Sequence, residues 1–186
     1  MKLNDLINER IMAINMLSSN LSLDFVKNIA NRIMESLSTN SRILICGNGG
    51  SASQASHFAA ELTVRYKKKK NKFSAIALCT DYAVVTATSN DFSFDEIFSM
   101  QVENLGHQGD LLIVLSTSGD SNNVINALQK GKQKGLKTIA FLGKTGGKAL
   151  TIADDKYVVN SMDSAIIQEH HLALIHLICE CIENMN

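Results

Sequence analysis

Residues 42–65 read RILICGNGGSASQASHFAAELTVR. Arg42 to Cys46 is a short apolar run of β character, and Gly47, Gly49 and Gly50 let the chain turn sharply as it leaves that strand. From Ala52 onward the spacing is helical. The first N–H groups of such a helix have no internal acceptor and carry the positive end of its dipole, so they suit a phosphate or another anion. His57, Glu61 and Arg65 then follow at i, i+4 and i+8, which puts them on one helical face about one and two turns below the anion site. On an isolated helix this face is most simply a solvated ion-pair stripe. Directly behind a glycine loop it becomes a candidate for acid–base chemistry.

Outward from this unit the chain alternates. Ser74 to Leu78, Leu111 to Leu115, Thr138 to Leu142 and Tyr157 to Val159 are further strand candidates, separated by helical or loop sequence. Runs such as LLIVL and TIAFL are nearly all apolar and fit strands covered on both faces. Two helices, Leu3 to Met16 and Leu23 to Leu37, precede the first strand, with Ser22 a candidate cap for the second. The expected fold is α/β: a doubly wound, five-stranded parallel sheet of flavodoxin or Rossmann type, flanked by helices and preceded by two N-terminal helices. Ligands of such sheets bind beyond the carboxyl ends of the strands, here at Gly47 to Ser51, Ser116 to Ser121 and Gly143 to Gly147.

The 186 residues are 45% hydrophobic, enough for a full core in a single domain spanning 1–186. Eighteen basic residues balance eighteen acidic ones, so no net field favours nucleic acid or anionic lipid. Lys67, Lys68, Lys69, Lys70 and Lys72 form a basic run without interleaved aromatics, read as a solvated turn. The N-terminus has early acidic residues and no continuous apolar stretch, so it reads as neither a secretory signal nor a membrane span, and a cytoplasmic location is expected. Cys46, Cys79, Cys179 and Cys181 show no Cys-x-x-Cys spacing and are expected to be reduced.

Ser116-Thr117-Ser118-Gly119-Asp120-Ser121 follows the strand LLIVL and opens a helix near Asn122. Its four hydroxyls at a helix N-terminus can ring a phosphate with neutral donors. Neither glycine segment matches a Walker loop or a dinucleotide fingerprint. The last helix, from Ser164 to about Met185, is largely apolar, with Gln168 and His176 near one face. A lone histidine on such a helix is ordinarily a packing residue, and His107, His170 and His171 are read as surface or packing residues. If this helix packs beside the one bearing His57 and Glu61, two imidazoles, a carboxylate and an amide oxygen meet as a mixed N/O set of the kind zinc takes.

Taken together, CGNGGS at 46–51, HFAAEL at 57–62, Asn90-Asp91-Phe92, the serine loop at 116–121, and Gln168-Glu169-His170 with His176 resemble the phosphoheptose isomerases over nearly the whole chain. These sugar-isomerase (SIS) domain enzymes convert sedoheptulose 7-phosphate into D-glycero-D-manno-heptose 7-phosphate. The resemblance implies that Ser51, Ser116, Thr117, Ser118 and Ser121 hold the phosphate with Gly49 and Gly50. It places Asn48, Arg65, Asn90, Asp91 and Gln168 on the sugar chain and makes Glu61 and His176 the acid/base pair. It further implies one zinc ion per subunit on His57, Glu61, Gln168 and His176, and a homotetramer with shared active sites in which residues 1–40 serve mainly assembly. Some relatives carry an acidic residue where this chain has Ala165, with Asp163 the nearest acid. The rival readings are an isomerase for another sugar phosphate, a non-catalytic SIS module such as a binder of the replication initiator, and a sugar-responsive regulator. The presence of both Glu61 and His176 favours the enzyme over the non-catalytic module.

Overall fold

The computed structural model describes residues 3–67 and 73–185. Five parallel strands, β1 (Arg42–Gly47), β2 (Ser74–Ala77), β3 (Leu111–Ser116), β4 (Lys137–Gly143) and β5 (Asp155–Val159), form one sheet in the order β2-β1-β3-β4-β5. Eight α-helices surround it among the described residues: α1 (Leu3–Asn15), α2 (Asn20–Thr39), α3 (Gly50–Thr63), α4 (Tyr82–Asp91), α5 (Ser99–Leu105), α6 (Asn122–Gln133), α7 (Ala149–Ile152) and α8 (Ser164–Asn184). The expected doubly wound sheet is present, with strand ends shifted by one or two residues from the sequence reading.

Period-two alternation sorts the strands between two cores. Ile43, Ile45, Ile113 and Leu115 pack with Phe25, Ile29, Ile33, Phe58, Leu174 and Ile178, under α2, α3 and α8. Leu44, Cys46, Leu112 and Val114 point the other way, against Phe98, Val102, Val124 and Leu128 of α5 and α6. All six residues of β3 are buried, as its unbroken apolar run predicts. Strand order reverses between β1 and β3, where Gly47 pairs with Leu115. The loops leaving these two strands diverge from a common point, the crevice where doubly wound sheets take ligands.

Two details of the N-terminal helices differ from expectation. The cap of α2 is Ser19, whose Oγ accepts from the Ser22 amide at 3.3 Å, rather than Ser22. Ser22 is buried, and its hydroxyl bonds the Tyr157 hydroxyl at 2.6 Å, a tertiary partner that local spacing cannot reveal. Helix α1 buries none of its residues and leaves Leu3, Ile7, Ile11 and Met12 exposed, while Arg10 Nε reaches Glu169 of α8 at 3.0 Å.

Among the described residues, α8 alone is long and apolar enough to cross a membrane, but half of that stretch is buried within the fold, as suits a core helix. All four cysteines are free, with Cys46 and Cys179 buried. In the lysine run, Lys67 pairs with Glu180 of α8. Lys68, Lys69, Lys70 and Lys72 lie outside the described residues.

Candidate active site

At the carboxyl end of β1, Gly49 adopts φ 54° and ψ −122°, a conformation that side-chain-bearing residues avoid, and this turn starts α3 two residues earlier than expected. A methyl group on Gly50 would stand 2.6 Å from Gln168 Nε2, so the glycine permits α8 to lie against the tip of α3. Asn48 and Asn123 exchange amide hydrogen bonds of 2.8 and 3.0 Å, tying the first loop to the start of α6. In the second loop, Ser116 Oγ accepts from the Gly119 amide at 3.0 Å and Ser118 Oγ from the Asp120 amide at 3.2 Å. Asp120 in turn accepts from the Lys148 amide at 2.9 Å.

Between these loops lies a small polar pocket of about 60 Å³, lined by Asn48, Ser51, Leu115, Ser116, Thr117, Ser121 and Gln168. That is room for about two water molecules or one small oxyanion. Ser121 occupies the cap position of α6, yet its hydroxyl makes no capping bond. The N-termini of α3 and α6 both meet here, so helix dipoles and neutral donors, rather than a Lys or Arg side chain, provide the attraction for an anion. Ser118 belongs to this loop but does not line the pocket.

Further along α3, side chains from the two ends of the chain meet. His57 Nε2 and His176 Nε2 face one another at 3.0 Å, and Glu61 Oε1 stands 3.7 Å from His57 Nε2. One imidazole must donate to the other. A second pocket, of about 270 Å³, is lined by Ser53, Gln54, His57, Leu172 and His176. Burial, with the charges of Glu61 and Glu183 adding to it, pushes the Cys179 thiol up to about 12, so no reactive thiolate competes at this site.

Not every residue named from the sequence gathers here. Helix α3 ends at Thr63, so Arg65 is outside the helix, exposed, and off the face shared by His57 and Glu61. The chain turns away at Val64 and crosses toward α8, where Glu183 accepts from the Lys67 amide at 2.6 Å. Asn90 and Asp91 end α4 on the surface, bonded to each other at 2.8 Å. None of these three lines either pocket. Asp163, the acid nearest the position of Ala165, is committed to capping α8, accepting from the Ala165 amide at 2.7 Å.

Of the histidines read as surface or packing residues, His170 and His171 are buried. His171 Nε2 donates to the Leu142 carbonyl at 3.0 Å, and burial holds its pKa down to about 4 against the opposing pull of that bond. His170 stacks on Tyr157 with ring centroids 5.6 Å apart, and burial lowers its pKa as well.

Sequence reasoning missed Asn123 and Gln54. Gln54 Nε2 donates to the Gln168 carbonyl at 2.6 Å, while its buried Oε1 has no partner. It lies three residues before His57 on α3, so helical spacing from His57 was the signal available.

A SIS-domain family profile matches residues 14–143. The phosphoheptose isomerase of Helicobacter pylori (strain P12) is 48% identical over 160 residues, covering 86% of this chain and 83% of that protein. This chain belongs to the phosphoheptose isomerase family. Two solved phosphoheptose isomerases superpose on it closely. That of Neisseria gonorrhoeae matches with a TM-score of 0.90 and 38% identity, over 98% of this chain and 97% of that one. That of Francisella tularensis matches with a TM-score of 0.92 and 32% identity, over 98% and 96%. As a phosphoheptose isomerase relative the chain is an isomerase, and the paired loops and the paired helices are the parts of the fold available for its chemistry.

Proposed function

We infer that this protein is an aldose–ketose isomerase that interconverts sedoheptulose 7-phosphate and D-glycero-D-manno-heptose 7-phosphate through an enediol. The observation that carries this reading is the layout of α3: a neutral-donor pocket suited to a phosphate at its N-terminus, and further along the same helix Glu61 with His57, which faces His176 of α8. Identity near one half over most of the chain to a named phosphoheptose isomerase favours the heptose substrate over another sugar phosphate.

Isomerisation moves a proton from the carbon beside a carbonyl to its neighbour. A carboxylate suits that transfer, so Glu61 is assigned as the base that removes and returns the carbon-bound proton. His176 is assigned to move protons between the substrate oxygens and to assist ring opening. The phosphate pocket holds the far end of the substrate through Ser51, Ser116, Thr117 and Ser121, using remote binding energy to place the reacting carbons. Ser118, which is outside the lining, shapes the loop by holding the Asp120 amide. Asn48 and Gln168 border this pocket and are assigned to the sugar chain.

Zinc fits the donors present. Two imidazole nitrogens 3.0 Å apart stand close to the separation of about 3.3 Å that tetrahedral Zn–N bonds impose, and the Glu61 oxygen is at a comparable range. Among the described residues no three His, Cys, Asp or Glu side chains already stand as a metal site, and Gln168 rests against Gly50, so side-chain rotation must complete the set of His57, Glu61, Gln168 and His176. When bound, zinc supplies Lewis-acid polarisation of a carbonyl oxygen.

The cytoplasm is the proposed location, where the sugar phosphate substrate is available. A homotetramer with shared sites is the proposed assembly. Its supports are the exposed apolar residues of α1 and the placement of Arg65, Asn90 and Asp91 outside both pockets, where a neighbouring subunit can use them. The number four rests on the family resemblance.

The test is incubation of the purified protein with sedoheptulose 7-phosphate, following aldoheptose phosphate by NMR. Turnover confined to a hexulose or pentulose phosphate would replace this reading with that of a different sugar-phosphate isomerase.

A further inference from the structure

The first lysine of the basic run does not simply project into solvent. After α3 ends, Tyr66 and Lys67 cross to α8 and meet a row of its side chains. His176, Glu180 and Glu183 lie at i, i+4 and i+7, along one side of that helix. The Tyr66 ring lies against the His176 imidazole with centroids 5.9 Å apart and planes 32° apart. Glu183 accepts from the Lys67 amide at 2.6 Å, and Lys67 Nζ pairs with Glu180 while also standing 5.1 Å from the centre of the Tyr66 ring. His176 also meets the His57 ring edge-on, with centroids 5.2 Å apart and planes 78° apart.

His176 is therefore in contact with two rings that belong to one continuous stretch of chain, the face of α3 and the segment that leaves it. An imidazole is free to turn about two side-chain bonds, and its position here borders an open pocket. The Tyr66 ring stands in the way of one of those rotations, and the two glutamates of α8 hold Lys67, the residue next to it.

We propose that Tyr66 is a positioning residue for His176, and that Lys67 with Glu180 and Glu183 forms the clamp that keeps it in place. This rests on the assignment of His176 to proton transfer made above. Tyr66 acts through the orientation of the imidazole, so the loss should fall on kcat, since a small misplacement of a reacting group costs rate rather than ground-state binding. The ring face is what matters, so phenylalanine should serve in place of tyrosine.

The experiment compares the full-length wild type with Tyr66→Ala, Tyr66→Phe and Glu183→Ala. Two readouts are taken: steady-state kinetics on sedoheptulose 7-phosphate, and the ring carbon–proton signals of His176 in NMR spectra, assigned with His176→Gln. Expected for Tyr66→Ala is a fall in kcat of about tenfold with KM within about twofold, together with a displaced His176 signal as the ring current is lost. Tyr66→Phe should restore both, and Glu183→Ala should move both in the direction of Tyr66→Ala by a smaller amount. Wild-type kcat in Tyr66→Ala would overturn the proposal. So would a rise in KM alone, equal damage in Tyr66→Phe, or an unmoved His176 signal. Wild-type protein inactive on this substrate would sink the functional reading instead, and the His176 signals would still decide whether Tyr66 positions that ring.

Discussion

The two ends of the site are built from different materials. At the end proposed for the phosphate, loops leaving adjacent strands close around a small pocket lined by hydroxyls, with Asn48, Leu115 and Gln168, and with Ser51 and Ser116 buried. At the other end, long side chains from α3 and α8 meet in a pocket open enough that the His57 side chain is 38% exposed. A closed end made by topology should tolerate loss of one donor. An open end made by a few side chains should not.

The largest expected effect is therefore at the open end. Glu61→Gln and His176→Gln should each lower turnover by about 10²- to 10⁴-fold while leaving the melting temperature near that of the wild type. Kinetics paired with thermal melts checks this, and a Glu61→Gln enzyme of near-normal kcat would remove the proposed division between the ends.

Next comes the buried anchor of α8, the helix that serves both ends. His171 is neutral in the fold until about pH 4, whereas the unfolded chain titrates near 6.5, so its contribution is intact above 6.5 and is lost as pH falls toward about 4. The whole shift is worth on the order of 3 kcal/mol, of which about 2 kcal/mol should be gone by about pH 5. His170, lowered in the same direction, adds to the loss. Urea unfolding across this range should show the decline, and His171→Leu should flatten it. A pH-independent wild type would mean that α8 is not anchored in this way.

Removal of metal sharpens the contrast further. If zinc lies at the open end, chelation should lower both activity and melting temperature, the loss of stability being about 2.7 kcal/mol for a metal present at a hundredfold excess over its Kd. Phosphate binding should survive. Protein shown metal-free by elemental analysis and still fully active would leave Glu61 and His176 as a metal-independent pair.

The smallest expected effect is at the closed end. Ser121→Ala removes a hydroxyl that makes no capping bond, so stability should hold. KM should rise about tenfold, in keeping with one hydrogen bond to a charged group, with kcat little changed. A collapse of kcat would show that this loop acts on the reacting carbons.

The same division governs what could be read from the sequence. The phosphate end was legible because a strand, a glycine turn and a helix start are local signals, and strand order brings two such turns together. The meeting of His57 with His176 joins residues 119 apart in sequence, and helical spacing could propose it without showing it. Ser22 illustrates the limit: its hydroxyl fits a cap, but Tyr157, 135 residues away, claims it. Arg65 was misplaced for a related reason. A helical period continued past Thr63 puts Arg65 below Glu61, whereas contacts to Glu180 and Glu183 draw the chain toward α8.

Helix α8 carries Gln168 in the lining of the proposed phosphate pocket and, eight residues further on, His176, the partner proposed for Glu61 in proton transfer. At the rise of an α-helix these positions are about 12 Å apart along the axis, and the spacing cannot change without breaking the hydrogen bonds of the helix. The helix is a fixed ruler laid along the substrate. On the proposed assignment it measures sugars by length: a phosphate seated at one mark presents C1 and C2 at the other only when the carbon chain is long enough to reach. A shorter sugar phosphate would occupy the pocket at Ser121 and stop short of Glu61, bound but unconverted, and selection against it would need no steric wall.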